Sequence, residues 1–273
     1  MNNPESSELG KKTIYPRTYD KKLLFPIPRS ENRHNIGIGE SLPFKGFDLW
    51  TAWEVSFLNH KGKPLACIAD IVIPCESKYI VESKSLKLYF NSLNDHKFDS
   101  IKQAQNAMAS DLSEYIQAEA QVSLKSLDDY THKIHRPEGV CLDEIDISWQ
   151  PQPYAPETLK VEGHEQAKET LYSNLLKSNC PVTNQPDWAT IFISYEGQKL
   201  DHESVLKYIL SFRNHNEFHE QCVERIFQDI SKCALPKSLT VSARYTRRGG
   251  IDINPVRSSL TNLSYDNLRL VRQ

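Results

Sequence analysis

The chain alternates between segments with the periodicity of β-strands and segments with the periodicity of amphipathic helices, and this pattern constrains the fold most. Residues 48–59 (DLWTAWEVSFLN) and 65–74 (LACIADIVIP) mix β-branched and aromatic residues in partial alternation, which is typical of strands. Between Ser100 and Leu127, apolar residues recur at helical spacing with polar residues between them. The pattern predicts a sheet with one long helix on one face.

Two further stretches of the first half are predicted as strands. Residues 79–93 (YIVESKSLKLYFNSL) have a strand-like composition, with a junction to a loop or a helix near Asn91, and residues 141–149 (CLDEIDISW) resemble another strand. The Pro-rich residues 149–163 have the character of a linker. We therefore predict a first domain at 1–150 and a second at 151–273.

The second half repeats the order of strands followed by a helix. Residues 170–176 and 188–197 are predicted strands, and 217–230 is a predicted helix with its apolar residues on one face. The segment 204–212 fits a strand or a short helix. Residues 238–258 alternate like two strands joined by a Gly-Gly turn.

A short sequence echo favours two related halves. Glu82-Ser83 is echoed by Glu203-Ser204, and Ser92 pairs with Ser211 when one gap is allowed. The predicted fold class is α+β, with antiparallel sheets and helices packed on one face. Residues 1 to about 45 are rich in Pro, Gly, Asn and basic residues, so we predict an extended arm that packs over the rest.

Composition excludes some classes of protein and leaves others open. A net charge of −2, from 33 basic and 35 acidic residues, gives no overall field that favours nucleic acid or a membrane surface. No run of about 18 apolar residues occurs, and the N-terminus lacks the apolar stretch of a signal peptide. Six cysteines without C-x-x-C pairs indicate reduced thiols, and we expect a cytoplasmic protein.

The segment SNCPVTNQPDWATI suggests a reactive loop between two strands. Cys180 directly follows one apolar run, and Asp187 begins the next. A thiolate is a strong nucleophile, and a carboxyl group seven residues later can return across the loop as a proton donor. A buried, unreactive thiol remains the alternative, because unpaired cysteines are often small core residues.

The segment SFRNHNEFHEQC collects polar residues at the start of a predicted helix. Glu220 could accept two parallel hydrogen bonds from the N–H edge of a guanine-like ring, although a solvated glutamate fits equally well. His219 and Cys222 form an H-x-x-C pair that invites a metal site, but no second pair of ligands has matching spacing. Cys222 falls on the apolar face, which favours burial in the core.

Two basic segments could bind phosphate. Ser83 and Lys84 lie in ESKSLK, and Arg248 and Gly249 lie in ARYTRRGG, where guanidinium groups and glycines suit phosphate oxygens. Exposed charges on a plain strand or hairpin are the alternative. There is no G-x-G-x-x-G motif, so the residues alone do not predict a dinucleotide site.

Together, these motifs resemble the QueF family of NADPH-dependent 7-cyano-7-deazaguanine reductases of queuosine biosynthesis, in its longer two-module form. The resemblance rests on VESKSLKLYFNSLN, SNCPVTNQPDWATI, SFRNHNEFHEQC and ARYTRRGGIDINP, and it extends from about residue 40 onward. It implies two tandem modules of the tunnelling fold. It also implies that NADPH reduces the nitrile of 7-cyano-7-deazaguanine to an aminomethyl group.

The resemblance assigns a role to each motif position. Cys180 would form a covalent thioimide with the nitrile carbon, and Asp187 would donate the proton. The remaining positions divide into substrate-binding residues and cofactor-binding residues. The expected substrate-binding residues are Val81, Glu82, Ser83, His219 and Glu220. The expected NADPH-binding residues are Ser83, Lys84, Arg248 and Gly249, and no metal is expected.

Two other functions remain open from the residues. One is a metal-dependent cyclohydrolase of the same fold with Cys222 and His219 as ligands, and the other is a tRNA-binding module that uses the basic residues of ARYTRRGG and NLRLVRQ. The near-neutral charge opposes the second. As partners we expect the small-molecule nitrile and a second copy of the chain in a homodimer, without direct contact to nucleic acid or membrane.

Overall fold

The computed structural model describes residues 15–263 and 267–273, so the first part of the predicted arm lies outside the described residues. The chain divides into two compact units. The first contains the described residues up to His34, together with 47–132 and 247–253, and the second contains 35–46, 133–246 and the described residues after 253. Both combine antiparallel sheet with helices, which confirms the α+β class. The two tandem modules bounded at residue 150 stay a prediction.

The first unit is built on three neighbouring strands. The described part of this unit begins with a 3₁₀ turn, strand β1 (Pro26–Pro28) and helix α1 (Arg29–His34). Strand β2 (Lys45–Leu58) then pairs antiparallel with β3 (Pro64–Pro74). The short strand β4 (Tyr79–Val81) pairs with β1. Helices α2 (Ser83–Ser92) and α3 (Ile101–Ile116) follow, and β5 (Gln121–Ser126) completes the order β5-β3-β2.

The prediction of a strand at 79–93 was wrong beyond residue 81. Glu82 takes an extended conformation, and its side chain accepts hydrogen bonds from the backbone N–H groups of Lys84 and Ser85, which is the geometry of a helix N-cap. Apolar residues then recur at helical spacing and are buried in the core of the unit. The capping carboxylate therefore starts helix α2 where composition suggested a strand.

The predicted helix from Ser100 to Leu127 is present but shorter. Ser100 caps α3 by accepting from the backbone N–H of Gln103. Gln117 adopts a left-handed conformation with φ of 54°, which ends the helix, and β5 occupies the rest of the predicted segment. The helix buries one face against the sheet through Ala104, Met108 and Leu112.

The second unit has a five-stranded sheet with long central strands. The main segment of this unit begins with two short strands, β6 (Ile134–His135) and β7 (Val140–Cys141). A hairpin follows, formed by β8 (Val161–Asn179) and β9 (Pro186–Leu200). Two helices come next, α4 (His202–Ser211) and α5 (His219–Ala234). Strands β10 (Ser238–Tyr245) and β11 (Ile251–Ser258) give the order β11-β10-β9-β8-β7, and β12 (Arg269–Leu270) pairs with β6. Only β7 runs parallel to its neighbour in this sheet.

Two ambiguous segments of the second half are now defined. The predicted strand 141–149 was wrong: β7 ends at Cys141, and a 3₁₀ turn follows, where Asp143 accepts hydrogen bonds from Ser173 and Asn174. The segment 204–212 is helical because Asp201 caps α4 at the backbone N–H of Ser204. The linker at 149–163 is irregular up to residue 160, as predicted, apart from a 3₁₀ turn.

Each unit contains the same hydrogen-bonded arrangement, in which one aspartate accepts from two tyrosine hydroxyls. In the first unit, Asp111 of α3 accepts from the hydroxyls of Tyr19 and Tyr89 at 2.5 and 2.7 Å. The second unit has the equivalent set Asp229, Tyr154 and Tyr208. Helices α2 and α4 each have 10 residues, and α3 and α5 each have 16.

Matching backbone bonds fix the register of this repeat. Ser85 and Ser204 occupy equivalent places, because each hydroxyl bonds to the backbone of the capping residue three positions earlier. Ser92 and Ser211 correspond as the sequence echo predicts. The echo that paired Glu82-Ser83 with Glu203-Ser204 was out of register. In the shared bonding pattern Glu82 corresponds to Asp201, because both residues cap a helix.

No helix within residues 15–263 and 267–273 is long and apolar enough to cross a membrane.

Candidate active site

Cys180 lies in a tight loop at the end of the β8–β9 hairpin. The backbone N–H of Cys180 donates to the carbonyl of Gln185 at 2.8 Å, and its own carbonyl accepts from Asn184 at 3.0 Å. Asn184 adopts a left-handed conformation with φ of 56°, which lets the chain reverse. The Cys180 side chain is buried, so the loop holds the thiol in a fixed, largely enclosed position.

The segment before α5 fastens this loop. Asn179 donates its backbone N–H to His215 and accepts from the backbone N–H of Glu217, at 2.8 and 3.0 Å. The Asn216 side chain donates to the carbonyl of Cys180 at 3.3 Å and to the side chain of Asn184 at 3.0 Å. The loop that carries Cys180 is therefore attached to the residues that lead directly into α5.

A buried ion pair fixes the segment that precedes α5. Arg225, two turns into α5, donates to the Glu217 carboxylate through Nε at 2.8 and 3.0 Å and through a further short contact from Nη2. His215 Nε2 lies 3.3 Å from the same carboxylate. The Arg225 guanidinium also lies over the Tyr154 ring at 4.8 Å. Glu217 is thereby fixed both by its backbone and by its charge.

Asp187 and His219 meet behind the loop. Asp187 is the second residue of β9, pairs with Ser178 of β8, and is 3% exposed. His219, the first residue of α5, places Nε2 3.5 Å from the Asp187 carboxylate. The Tyr245 ring contacts the imidazole edge to face, with centroids 4.1 Å apart. Three elements of the second unit thus converge on one carboxyl group.

Glu220 and Cys222 share the first turn of α5 with His219. Glu220 is 4% exposed, and Cys222 is fully buried, as its apolar position predicts. Burial raises the pKa of the Cys222 thiol well above its ordinary value, with the nearby Glu217 carboxylate adding to the effect. Among the described residues no three His, Cys, Asp or Glu side chains group as metal ligands, so a zinc site at His219 and Cys222 has no third ligand there.

The first unit gathers the other predicted residues around the start of α2. Val81 ends β4, and Glu82 caps α2 with its carboxylate 2.7 Å from the backbone nitrogens of Lys84 and Ser85. Both Val81 and Glu82 are buried, whereas Ser83 and Lys84 are half-buried. Burial raises the pKa of Glu82, while the two backbone N–H groups and nearby lysines oppose the shift.

Arg248 and Gly249 lie in the turn before β11. The backbones of Arg248 and Ile251 exchange hydrogen bonds across Gly249 and Gly250, whose φ values are 58° and 80°. A Cβ at Gly249 would approach the Lys87 side chain to 3.1 Å, so glycine leaves space at this point. A cavity of about 280 Å³ in the first unit is lined by this turn, β2 and α2.

Comparison with known proteins identifies the family. Residues 15–124 match a family model described as nitrile reductase, 7-cyano-7-deazaguanine-reductase N-term, and residues 186–263 match a model described as QueF-like protein. The NADPH-dependent 7-cyano-7-deazaguanine reductase of Coxiella burnetii is 48% identical over 271 residues, covering 98% of this chain and 97% of the relative. The chain belongs to the QueF family. The enzyme of the same name from a Polaromonas species is 48% identical over 275 residues, with full coverage of both chains.

A solved structure of a QueF-like archaeosine synthase, in its apo form, has a TM-score of 0.32 and 16% identity over 37% of this chain and all of its own. That similarity is too low to support a structural argument. The resemblance to the QueF family predicted from the motifs is confirmed by the family models and the relatives. The roles of individual residues stay predictions.

The QueF-family chain brings together four of the predicted site residues in its second unit. Cys180, Asp187, His219 and Glu220 lie at the hairpin loop and the adjoining start of α5. The other six lie at the start of α2 and in the glycine turn of the first unit. Sequence reasoning missed Ser178, Tyr245 and the Asn216-Glu217 segment, whose positions depend on strand register and on a turn between helices.

Proposed function

We propose that this chain reduces the nitrile of 7-cyano-7-deazaguanine to an aminomethyl group with two molecules of NADPH, through a thioimide on Cys180. Membership of the QueF family carries the first half of this statement: the protein is an oxidoreductase, and NADPH is its cofactor. The observation that supports the covalent mechanism is the loop geometry, which fixes a buried Cys180 at the end of the hairpin whose second strand carries the buried Asp187. We propose that the enzyme acts in queuosine biosynthesis.

In the first step, the sulfur of Cys180 attacks the nitrile carbon. One C–N π bond breaks, a C–S bond forms, and the nitrogen takes a proton, which leaves a thioimide. The proton comes from Asp187, which is buried. Asp187 follows Pro186, the residue of β9 that pairs with Asn179. The rigid loop matters because a fixed thiol needs no reorganisation when the substrate binds.

The start of α5 orients the base. We propose that the Glu220 carboxylate accepts hydrogen bonds from the N–H edge of the deazaguanine, in a position only 4% exposed to water. His219 Nε2, 3.5 Å from Asp187, lies near the reacting group. From the first unit, we assign Val81, Glu82 and Ser83 as further contacts to the base.

The residues of the first unit fit a phosphorylated cofactor. Lys84 and Arg248 supply positive charge, and Gly249 leaves its backbone open to close approach by phosphate oxygens. We assign Ser83, Lys84, Arg248 and Gly249 to NADPH binding. When bound, NADPH supplies the hydride that the thioimide carbon accepts. After the first hydride and proton have been added, the Cys180 thiol would leave to give an imine, and the second hydride and proton would reduce the imine to the amine. Each reduction therefore consumes one NADPH and one further proton.

The covalent step is tested by Cys180→Ala. The wild-type protein incubated with the nitrile, without NADPH, should gain the mass of one substrate, and Cys180→Ala should gain none and should lose turnover. Cys67→Ala is the matched control, because this buried thiol lies on β3 of the first unit and should not affect the adduct. An adduct that persists in Cys180→Ala would overturn the assignment.

The proton step and the stoichiometry need separate measurements. Asp187→Asn should bind the nitrile with nearly unchanged affinity and should slow adduct formation by about 10²- to 10⁴-fold, the usual contribution of a general acid. Unchanged kinetics would remove Asp187 from the mechanism. Loss of NADPH absorbance should correspond to two cofactors per substrate, and a ratio of one would contradict the second reduction.

Further expectations belong to this proposal. We propose a cytoplasmic homodimer that contains no metal ion and that contacts neither tRNA nor a membrane directly. The molar mass in solution tests the homodimer, and elemental analysis tests the absence of a metal ion. A salt-dependent shift of tRNA mobility would contradict the expectation that the protein does not bind tRNA.

A further inference from the structure

Two buried hydroxyl groups in the second unit make no well-formed hydrogen bond among the described residues. The Ser178 side chain has no exposed area, and that of Tyr245 is 1% exposed. The Tyr245 hydroxyl is near enough to the Ser178 hydroxyl and the Cys222 thiol to interact with both, but not in good hydrogen-bonding geometry. Buried polar groups are nearly always paired, because an unpaired one loses its bonds to water without replacement. Two such groups in one place require an explanation.

Both residues lie on the same face of the sheet as Asp187. Ser178 is the cross-strand partner of Asp187 on β8, and Tyr245 of β10 pairs with Ala189, two residues further along β9. Residues two apart on a strand share a face, so all three side chains lie on the same side of the sheet. That side also receives His219, whose ring contacts both Asp187 and Tyr245.

The titratable groups around Asp187 come from every neighbouring element. β10 contributes Tyr245, α5 contributes His219 and Cys222, and β8 contributes Lys177, whose pKa Asp187 tends to raise although burial lowers it overall. Burial, Cys222 and Asp187 raise the pKa of Tyr245 well above its ordinary value, so its hydroxyl keeps its proton. The pKa of Cys222 is also raised. The neutral hydroxyls are therefore donors at every working pH.

We propose that Ser178 and Tyr245 are positioning residues that donate hydrogen bonds to the Asp187 carboxylate once its proton has moved to the nitrile nitrogen. This inference rests on the proposed function, in which Asp187 is the acid. A protonated carboxyl group is a weak acceptor, whereas a carboxylate forms strong, charge-assisted bonds. The two hydroxyls therefore favour the product side of the proton transfer, and no other atom changes its bonding.

A structural role alone predicts that removing either oxygen leaves the chemistry unchanged or improves stability, since an unpaired buried hydroxyl is unfavourable. A donor role predicts a shift in the acidity of one neighbouring carboxyl group. These two outcomes can be separated by a pH titration.

The experiment compares Ser178→Ala and Tyr245→Phe with the wild-type protein. Phenylalanine keeps the ring against His219, so the fold and the imidazole position are preserved. The rate of thioimide formation without NADPH is measured in single turnovers across pH 5 to 9. Each variant should react about 5- to 30-fold more slowly, and the limb that reports Asp187 should move about 0.5 to 1 pH unit upward, because a carboxylate with fewer donors binds its proton more tightly.

A second readout is independent of the substrate. Carbon-13 spectra of the full-length protein, labelled at the aspartate carboxyl and assigned through Asp187→Asn, follow the titration of Asp187 directly. The titration should move upward in both variants. If the wild-type protein formed no adduct, the proposed function would fail, while this titration would still decide whether the hydroxyls act on Asp187.

The matched control is Tyr195→Phe. Tyr195 is also a buried tyrosine of the same sheet, eight residues along β9 from Asp187, and its hydroxyl donates to Glu169 at 2.6 Å. Its loss should leave both the rate profile and the Asp187 titration unchanged. An unshifted titration in Ser178→Ala and Tyr245→Phe, or an equal shift in Tyr195→Phe, would overturn the proposal.

Discussion

Replacing Glu217 by alanine should destabilise the second unit far more than its loop position suggests. The Glu217 side chain is 4% exposed, and it is the anionic partner of Arg225, whose side chain is 16% exposed. The carboxylate keeps the pKa of Arg225 above its ordinary value despite burial. Alanine would leave a guanidinium largely buried and without this partner.

The size of the effect follows from that burial. Removing one partner of a buried ion pair costs roughly 3 to 5 kcal/mol, and the exposure of Arg225 reduces the expected cost to about 2 to 3 kcal/mol. With a urea dependence of about 2 kcal/mol/M, the unfolding midpoint should fall by roughly 1 to 1.5 M. Thioimide formation should slow as well, because the Glu217 side chain fixes the segment whose backbone N–H bonds to Asn179, the residue before Cys180.

Glu203→Ala is the matched control within the same unit. Glu203 pairs with Lys207 one turn later on α4, but its side chain is 55% exposed. Such a surface pair contributes about 0.3 to 0.5 kcal/mol, so the midpoint should hardly change. Urea unfolding followed by circular dichroism, with a common slope, measures both variants on the same scale.

A double variant separates the charge from the shape. Glu217→Met combined with Arg225→Met removes both charges, so it should recover much of the stability that Glu217→Ala loses. The reasoning is refuted if Glu217→Ala costs no more than Glu203→Ala. It is also refuted if the double variant is less stable than Glu217→Ala, since an uncompensated charge could not then be the cause.

Three other predictions concern buried groups. The pKa of Glu82 is raised in the folded state, so the folded protein binds more protons than the unfolded chain. The free energy of unfolding should therefore fall as pH rises from below 4.5 through the raised pKa. Glu82→Gln should reduce this pH dependence, as measured by urea unfolding at several pH values. Iodoacetamide at pH 8 should leave Cys222 unmodified in the native protein and alkylate it in urea, and stoichiometric native labelling in peptide maps would contradict its burial. Asp111→Asn should cost about 1 to 3 kcal/mol in thermal unfolding, because it weakens the acceptor shared by Tyr19 and Tyr89, and an unchanged melting temperature would contradict this.

The sequence predicts the reactive hairpin well because its signals are local. Cys180 and Asp187 lie between two apolar runs with prolines in the connection, and that pattern suffices to predict a loop between strands. The helix α5 is equally clear from its apolar spacing. The helix α2 was missed because its apolar residues also fit a strand, and only the Glu82 cap decides between the two.

The surroundings of Asp187 could not be predicted from local pattern. Ser178 and Tyr245 are 67 residues apart, and they meet only because β9 lies between their strands in one particular register. A shift of one residue would turn either side chain to the opposite face. Asn216 likewise joins Cys180 through a turn whose path depends on the packing of α4 and α5.

The repeated hydrogen bonds also match positions of the two units that hold different types of residue. Where the second unit has Cys180 and Asp187, the corresponding backbone positions of the first unit hold Asn59 and Leu65, and Ile101 takes the place of His219. Asn59 only closes its own turn, by accepting from Lys61 and Lys63. Under the proposed roles of Cys180, Asp187 and His219, substitutions at these positions of the second unit should slow or abolish adduct formation, whereas substitutions at the paired positions of the first unit should leave it unchanged.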